Sequence, residues 1–169
     1  MPIEPVFEKL SAKEKAGEAV CRVKAECKTD VPASSVEKVL NNNVNSFAVL
    51  SGVVDGRAEF TCRSTFFICY LSADGIRKCE CGAEIKDSLL SDKIAEGDEI
   101  KLSWTVEKTE VELSGLKMNA VAYITVKGEI YRKKEYRALT GGENVYCDLK
   151  PVKTVKFYGA ISSAYMAEE

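Results

Sequence analysis

Cys79 and Cys81 stand one residue apart in "RKCECGAE", residues 77–84, between charged side chains. Such a pair invites three chemistries: a metal clip, a redox couple or a nucleophile. A four-cysteine zinc site draws its ligand pairs from turns with two to four intervening residues. On a strand, a one-residue spacing instead puts both thiols on one face. Cα atoms two residues apart there are separated by roughly 6.5–7 Å, at the edge of what a disulfide spans. The Cys-x-x-Cys spacing of redox motifs is absent. A cysteine nucleophile needs a base, and the chain has no histidine. The favoured reading is therefore two small core residues, a role that cysteine often fills.

The other candidates for chemistry are weaker. Glu107, Glu110 and Glu112 are close in sequence, as paired acid and base carboxylates would be. They alternate with Lys108 and Thr109, so a solvated strand face with ion pairs is the simpler reading. "LTGGEN", residues 139–144, lacks the Gly-Lys-Ser/Thr ending that gives a phosphate loop its lysine and magnesium ligand. Arg132, Lys133, Lys134 and Arg137 cluster near Tyr131 and Tyr136, where an anionic partner could dock. A solvated edge strand that discourages aggregation accounts for them as well. No catalytic residue, metal ligand or cofactor site is assigned.

Composition narrows the class. The chain has 169 residues, 46% of them hydrophobic and 30% charged, with a net charge of -2. That is enough apolar material for a core, and too balanced a charge for a nucleic-acid face. No apolar run is long enough for a transmembrane helix. The N-terminal residues lack the basic start and apolar stretch of a signal peptide, so synthesis in the cytoplasm is expected. Seven cysteines, an odd number, fit a reduced chain better than a disulfide framework.

Strands must position these residues. Ala19, Cys21, Val23, Ala25 and Cys27 share one parity, with Arg22, Lys24 and Glu26 on the other, which predicts a half-buried strand. Met1–Lys15 reads as an arm or a short helix. In "TDVPASSVEKVLNNN", Ser34 or Ser35 could cap a short helix carrying Val36, Val39 and Leu40, ended by Asn41–Asn43; an irregular loop is the equal alternative.

Asp55-Gly56 marks a two-residue hairpin turn. Folding there places Val53 opposite Ala58, Ser51 opposite Phe60, Val49 opposite Cys62 and Phe47 opposite Ser64. Asp74-Gly75 marks a second turn, placing Tyr70 opposite Cys79, Ile68 opposite Cys81, Phe66 opposite Ala83 and Ser64 opposite Ile85. Phe60, Cys62, Phe66, Ile68 and Tyr70 then share an apolar face with Cys79 and Cys81. Phe67, Cys69 and Leu71 point the other way and form the candidate interaction face, or a second buried layer. A third hairpin turns at Ser114-Gly115, with Leu113 opposite Leu116 and Val111 opposite Met118. The apolar parity changes from Ile100, Leu102, Trp104 and Val106 to Val111 and Leu113, which predicts a β-bulge between Glu107 and Glu110. "SLLSDKIAEGDE" is a connection with room for a helical turn. Gly141-Gly142 is a loop signal, and Tyr146, Val152, Val155 and Phe157 beyond it could form further strand or dock elsewhere.

The expected fold is all-β, with at most one or two short helices: an antiparallel sandwich or open barrel built from hairpins. Residues 1–16 form an arm, 17–140 the β-rich domain, and 141–169 a tail that adds a strand or docks.

The pieces "GEAVCRVKAECKTDVP", "VVDGRAEFTCRSTFFICYLSADGI" and "KTEVELSGLKMNAVAYITV" occur in an order that resembles the SPOCS domain of sporulation and spore-coat proteins in Firmicutes. The resemblance covers about residues 17 to 130. It lies in a strand, a proline-containing connection, an Asp-Gly hairpin running to a tyrosine-bearing strand end, and a late pair of valine-rich strands. It implies a noncatalytic module that joins proteins or copies of itself during assembly of the spore coat or cortex, made in the mother cell. That family lends no catalytic residues. The expectation is thus a structural interaction domain with protein partners, without nucleic acid and without a membrane span. The alternative is a small-molecule-binding β-barrel, or an enzyme using carboxylates in a pocket between sheets.

Overall fold

The computed structural model describes residues 5–114 and 117–142. Among the described residues the chain forms six strands: β1 (Pro5–Thr29), β2 (Lys38–Val54), β3 (Arg57–Ser72), β4 (Gly75–Leu90), β5 (Glu99–Ser114) and β6 (Lys117–Gly142). The strands form two antiparallel three-stranded sheets, ordered β1-β6-β5 and β2-β3-β4. They make an all-β sandwich, and the sheets do not close into a barrel. Contacts divide the chain into a larger unit, Ser11–Glu135, and a smaller one whose described residues are the start of β1 and the end of β6. The hydrophobic core belongs to the larger unit.

Alternation along β3 explains why its sheet has one core face. Ala58, Phe60, Cys62, Ser64, Phe66, Ile68 and Tyr70 are all buried, while the residues between them are exposed or half-buried. The facing sheet contributes Ala19, Val23, Ala25 and Cys27 from β1 and Met118, Ala120, Ala122, Ile124, Val126 and Ile130 from β6. Size is divided between the layers: β3 brings two phenylalanines, and β6 brings alanines and Gly128. Burying each phenylalanine contributes about 1.5–3 kcal/mol.

Register differs from the expectation in instructive ways. In the first hairpin Val54 pairs with Arg57 and Val53 with Ala58, as the Asp55-Gly56 turn requires. The ladder then slips between Leu50 and Gly52, so Leu50 faces Phe60, Ala48 faces Cys62 and Phe47 faces Arg63. Ser51 is an extra residue, and it inverts the parity of β2 from Leu50 back to Asn41, where a second slip at Leu40 restores it. In the second hairpin Ser72 pairs with Gly75, so the turn residues are Ala73 and Asp74, and Gly75 follows them with φ +108°. The register moves by two: Ile68 faces Cys79, Phe66 faces Cys81, Ser64 faces Ala83 and Tyr70 faces Arg77. A shift of two keeps every side chain on its expected face.

The third hairpin is also displaced by two, with Leu113 opposite Met118 and Val111 opposite Ala120. Its turn residues, 115 and 116, lie outside the described residues. The bulge on β5 is present between Val106 and Lys108, at Glu107. Of the two alternatives for the segment after Pro32, a short helix through Leu40 or an irregular loop, the structure keeps only a three-residue 3-10 turn, Ala33–Ser35, before strand begins at Lys38. Asn41–Asn43 are instead taken into the β2 ladder opposite Cys69, Ile68 and Phe67. Pro5 to Lys15 is strand, and β6 runs through Gly141-Gly142. Tyr146, Val152, Val155 and Phe157 lie outside the described residues.

Candidate functional site

Because the even residues of β3 enter the core, its odd residues make the outer face of the β2-β3-β4 sheet. Phe67 lies there between Asn43 and Glu80, Cys69 between Asn41 and Lys78, and Leu71 between Lys38 and Ile76. Phe67 is 41% exposed, and Cys69 and Leu71 are half-buried. All three candidate residues therefore share one surface. The Ser51 bulge brings a second apolar group to the same face. Phe47 and Val49, expected in the core, stand outward and, with Ser51, Thr61 and Arg63, line a shallow groove of about 150 Å³. Sequence reasoning missed this pair, since a bulge in the adjacent Ser51-Gly52 reverses their face. Between the two groups Arg63 donates to Glu84 at 2.7 Å.

The outer face of the other sheet is of a different kind. Lys15 bridges Glu129, at 2.7 Å, and Glu18, and Lys127 reaches Glu18 at 2.7 Å. Hydrogen bonds from Lys127 and Lys15 hold the Glu18 carboxyl down at about 2. Lys24 pairs with Glu26 and Lys108 with Glu110. An open groove of about 370 Å³ is lined by Arg22, Lys24, Glu107, Lys108 and Tyr123. Two of the three candidate glutamates on β5 are part of this lattice: Glu107 accepts from Thr125, and Lys108 lowers the Glu110 carboxyl. A general acid needs the opposite shift.

Cys79 and Cys81 face inward, half-buried, toward Ile68 and Phe66 and toward Cys27 of β1. Burial pushes the Cys81 thiol up to about 12, and the neighbouring Cys27 thiol adds to it. Among the described residues no group of three or more cysteine or carboxylate side chains is arranged to hold a metal ion.

The basic cluster lies on β6 just beyond Tyr131, where the ladder with β5 ends. Arg132 is committed to Asp98, donating from Nε to Oδ1 at 2.8 Å and from Nη2 to Oδ2 at 2.7 Å. Lys134 pairs with Glu14. Asp98, a buried carboxylate, is one that sequence reasoning missed; the Gly97-Asp98 turn is its local signal.

Comparison of the chain with protein-family models, with curated proteins and with solved structures returned no match.

Proposed function

We propose that the chain is a noncatalytic interaction domain whose working surface is the outer face of the β2-β3-β4 sheet. One contrast carries this reading. The outer face of β1-β6-β5 carries a lattice of ion pairs beside the exposed Val20 and Tyr123, whereas its counterpart, crossed by the Arg63–Glu84 pair, turns Phe47, Val49, Phe67 and Ile76 toward solvent with the half-buried Leu71 among them. Grouped apolar side chains rimmed by charge mark contact surfaces, and aromatic anchors dominate their energetics. The resemblance of the strand pattern to SPOCS domains supplies the setting, assembly of the spore envelope with protein partners or with further copies.

The test uses the whole chain and outward-facing variants. Phe67→Lys and Phe47→Lys should leave the melting temperature almost unchanged, because neither side chain enters the core. Pull-down from sporulating cells should recover a partner with the wild-type chain and lose it with both variants. Equal recovery with all three chains, or turnover of a small molecule by the purified chain, counts against this reading.

A further inference from the structure

Strand β4 is an edge of its sheet, sixteen residues long. Its ladder with β3 runs from Gly75 to Leu90 without a slip. The β2 edge is interrupted at Leu40 and Ser51, and the Trp104 indole donates to its Ser46 carbonyl. The β5 edge is interrupted at Glu107. Bulges and covering side chains are the usual devices that stop an edge from pairing with another chain. Of these three edges, β4 lacks such a bulge.

The outward residues of β4 are Ile76, Lys78, Glu80, Gly82, Glu84, Lys86, Ser88 and Leu90. Ile76 and Leu90 are the two most exposed large apolar side chains among the described residues, at 66% and 71%. They sit at opposite ends of the strand, each seven residues from Ala83. Glu80 and Lys86 are each three residues from Ala83. A two-fold axis at Ala83 would therefore match apolar with apolar and acid with base.

The geometry points to a homodimer formed by antiparallel addition of β4 to β4 of a second copy, centred on Ala83. This rests on the interaction reading and names its partner. In that register Glu80 faces Lys86 of the second copy, Gly82 faces Glu84, and Ile76 faces Leu90, with each contact made twice. Moving the axis to Gly82 would set Lys78 against Lys86 and Glu80 against Glu84, like charges directly opposed. Charge thus selects one register, and the contact is self-complementary as a two-fold interface requires. The main-chain ladder spans Cys79–Asp87, because the Ser88 N–H is already donated to Asp87 Oδ1 at 2.7 Å, and Ile76 meets Leu90 by side-chain contact beyond its ends. Strand addition supplies main-chain hydrogen bonds, and the flanking side chains supply specificity.

Light-scattering mass across a concentration series tests the pairing. The wild-type chain should reach twice its 18.6 kDa mass. Glu80→Lys and Lys86→Glu each turn two attractive pairs into repulsive ones and should weaken the dimer by about tenfold or more. The double variant Glu80→Lys/Lys86→Glu restores opposite charges and should recover the dimer. A wild-type chain that stays monomeric, or a dimer indifferent to both single reversals, overturns the pairing. Neither result touches the Phe67 capture experiment, which reads the sheet's face through separate variants.

Discussion

Leu89 of β4 occupies the space directly over Gly128 of β6, so that the two sheets meet through one side chain and one bare backbone. Leu89 is fully buried, and a Cβ at position 128 would overlap its Cδ1 and come within 3.0 Å of Ile100 Cγ2. The glycine at 128 is thus a packing requirement between layers.

Gly128→Ala should therefore destabilise the fold by about 1–3 kcal/mol, the usual cost of overpacking. Leu89→Ala should cost about 2–5 kcal/mol through the cavity it leaves. The two changes compensate, so the double variant should lose less than the sum of the single losses. Urea denaturation of the four chains checks this; strict additivity would show that Leu89 and Gly128 do not share the space.

Asp98 should govern part of the acid limb of stability. The Arg132 guanidinium holds its carboxyl below the ordinary range; burial opposes this, and the Ala95 N–H, 2.9 Å from Oδ2, adds to the lowering. A lowered carboxyl contributes stability that is complete above the unfolded value, roughly pH 4, and is lost as pH falls through the folded value. Asp98→Asn should cost about 1–3 kcal/mol at neutral pH and flatten the decline below roughly pH 4. Unfolding midpoints from pH 2 to 7 measure both; an unchanged acid slope would exclude Asp98 as its source.

The thiols should act on the alkaline side. Burial raises Cys62, Cys79 and Cys81, and raises Cys21 to about 11 with help from the Asp87 carboxylate. A thiol whose folded value is raised favours the protonated state, so its stability contribution is present below the unfolded value, roughly pH 8.5, and is lost as pH rises through the folded value. Stability should fall above roughly pH 8.5, and Cys81→Ala should make that fall shallower. At neutral pH, native-state alkylation followed by peptide mapping should find Cys62, Cys79 and Cys81 slower than Cys69, which lies on the outer face. Rapid labelling of Cys79 and Cys81 would contradict their inward placement.

Asn42 offers a gain. It lies on the core side of β2 opposite Ile68, and its buried amide nitrogen and oxygen make no hydrogen bond to any described residue. An unpaired buried amide is costly, and valine suits a strand. Asn42→Val should raise stability by about 1 kcal/mol, read as a higher urea midpoint with unchanged slope. A lower midpoint would show that the amide is satisfied after all.

Much of the β architecture could be read locally. Side chains on a strand alternate with period two, so Phe60, Cys62, Phe66, Ile68 and Tyr70 declared a common face, as did Ala19, Val23, Ala25 and Cys27. The inward direction of Cys79 and Cys81 survived a register error because that error was two residues, and the face repeats every two. The face of Phe47 and Val49 did not survive, because one bulged residue at Ser51 shifts the count by one. The same Asp-Gly dipeptide centres one turn and straddles the end of another; ladder pairing far from the turn chooses between these geometries. Tertiary structure also decided that Lys38–Asn43 is strand, because β3 offers these residues a ladder that outweighs the turn preference of asparagine. It carried the basic cluster past the end of the β5 ladder and spent Arg132 on Asp98. The sequence by itself determined which residues alternate. The break on β5 left its mark in the local pattern, but only long-range pairing determined the breaks on β2, at Leu40 and Ser51, and hence that Phe47 and Val49 meet water.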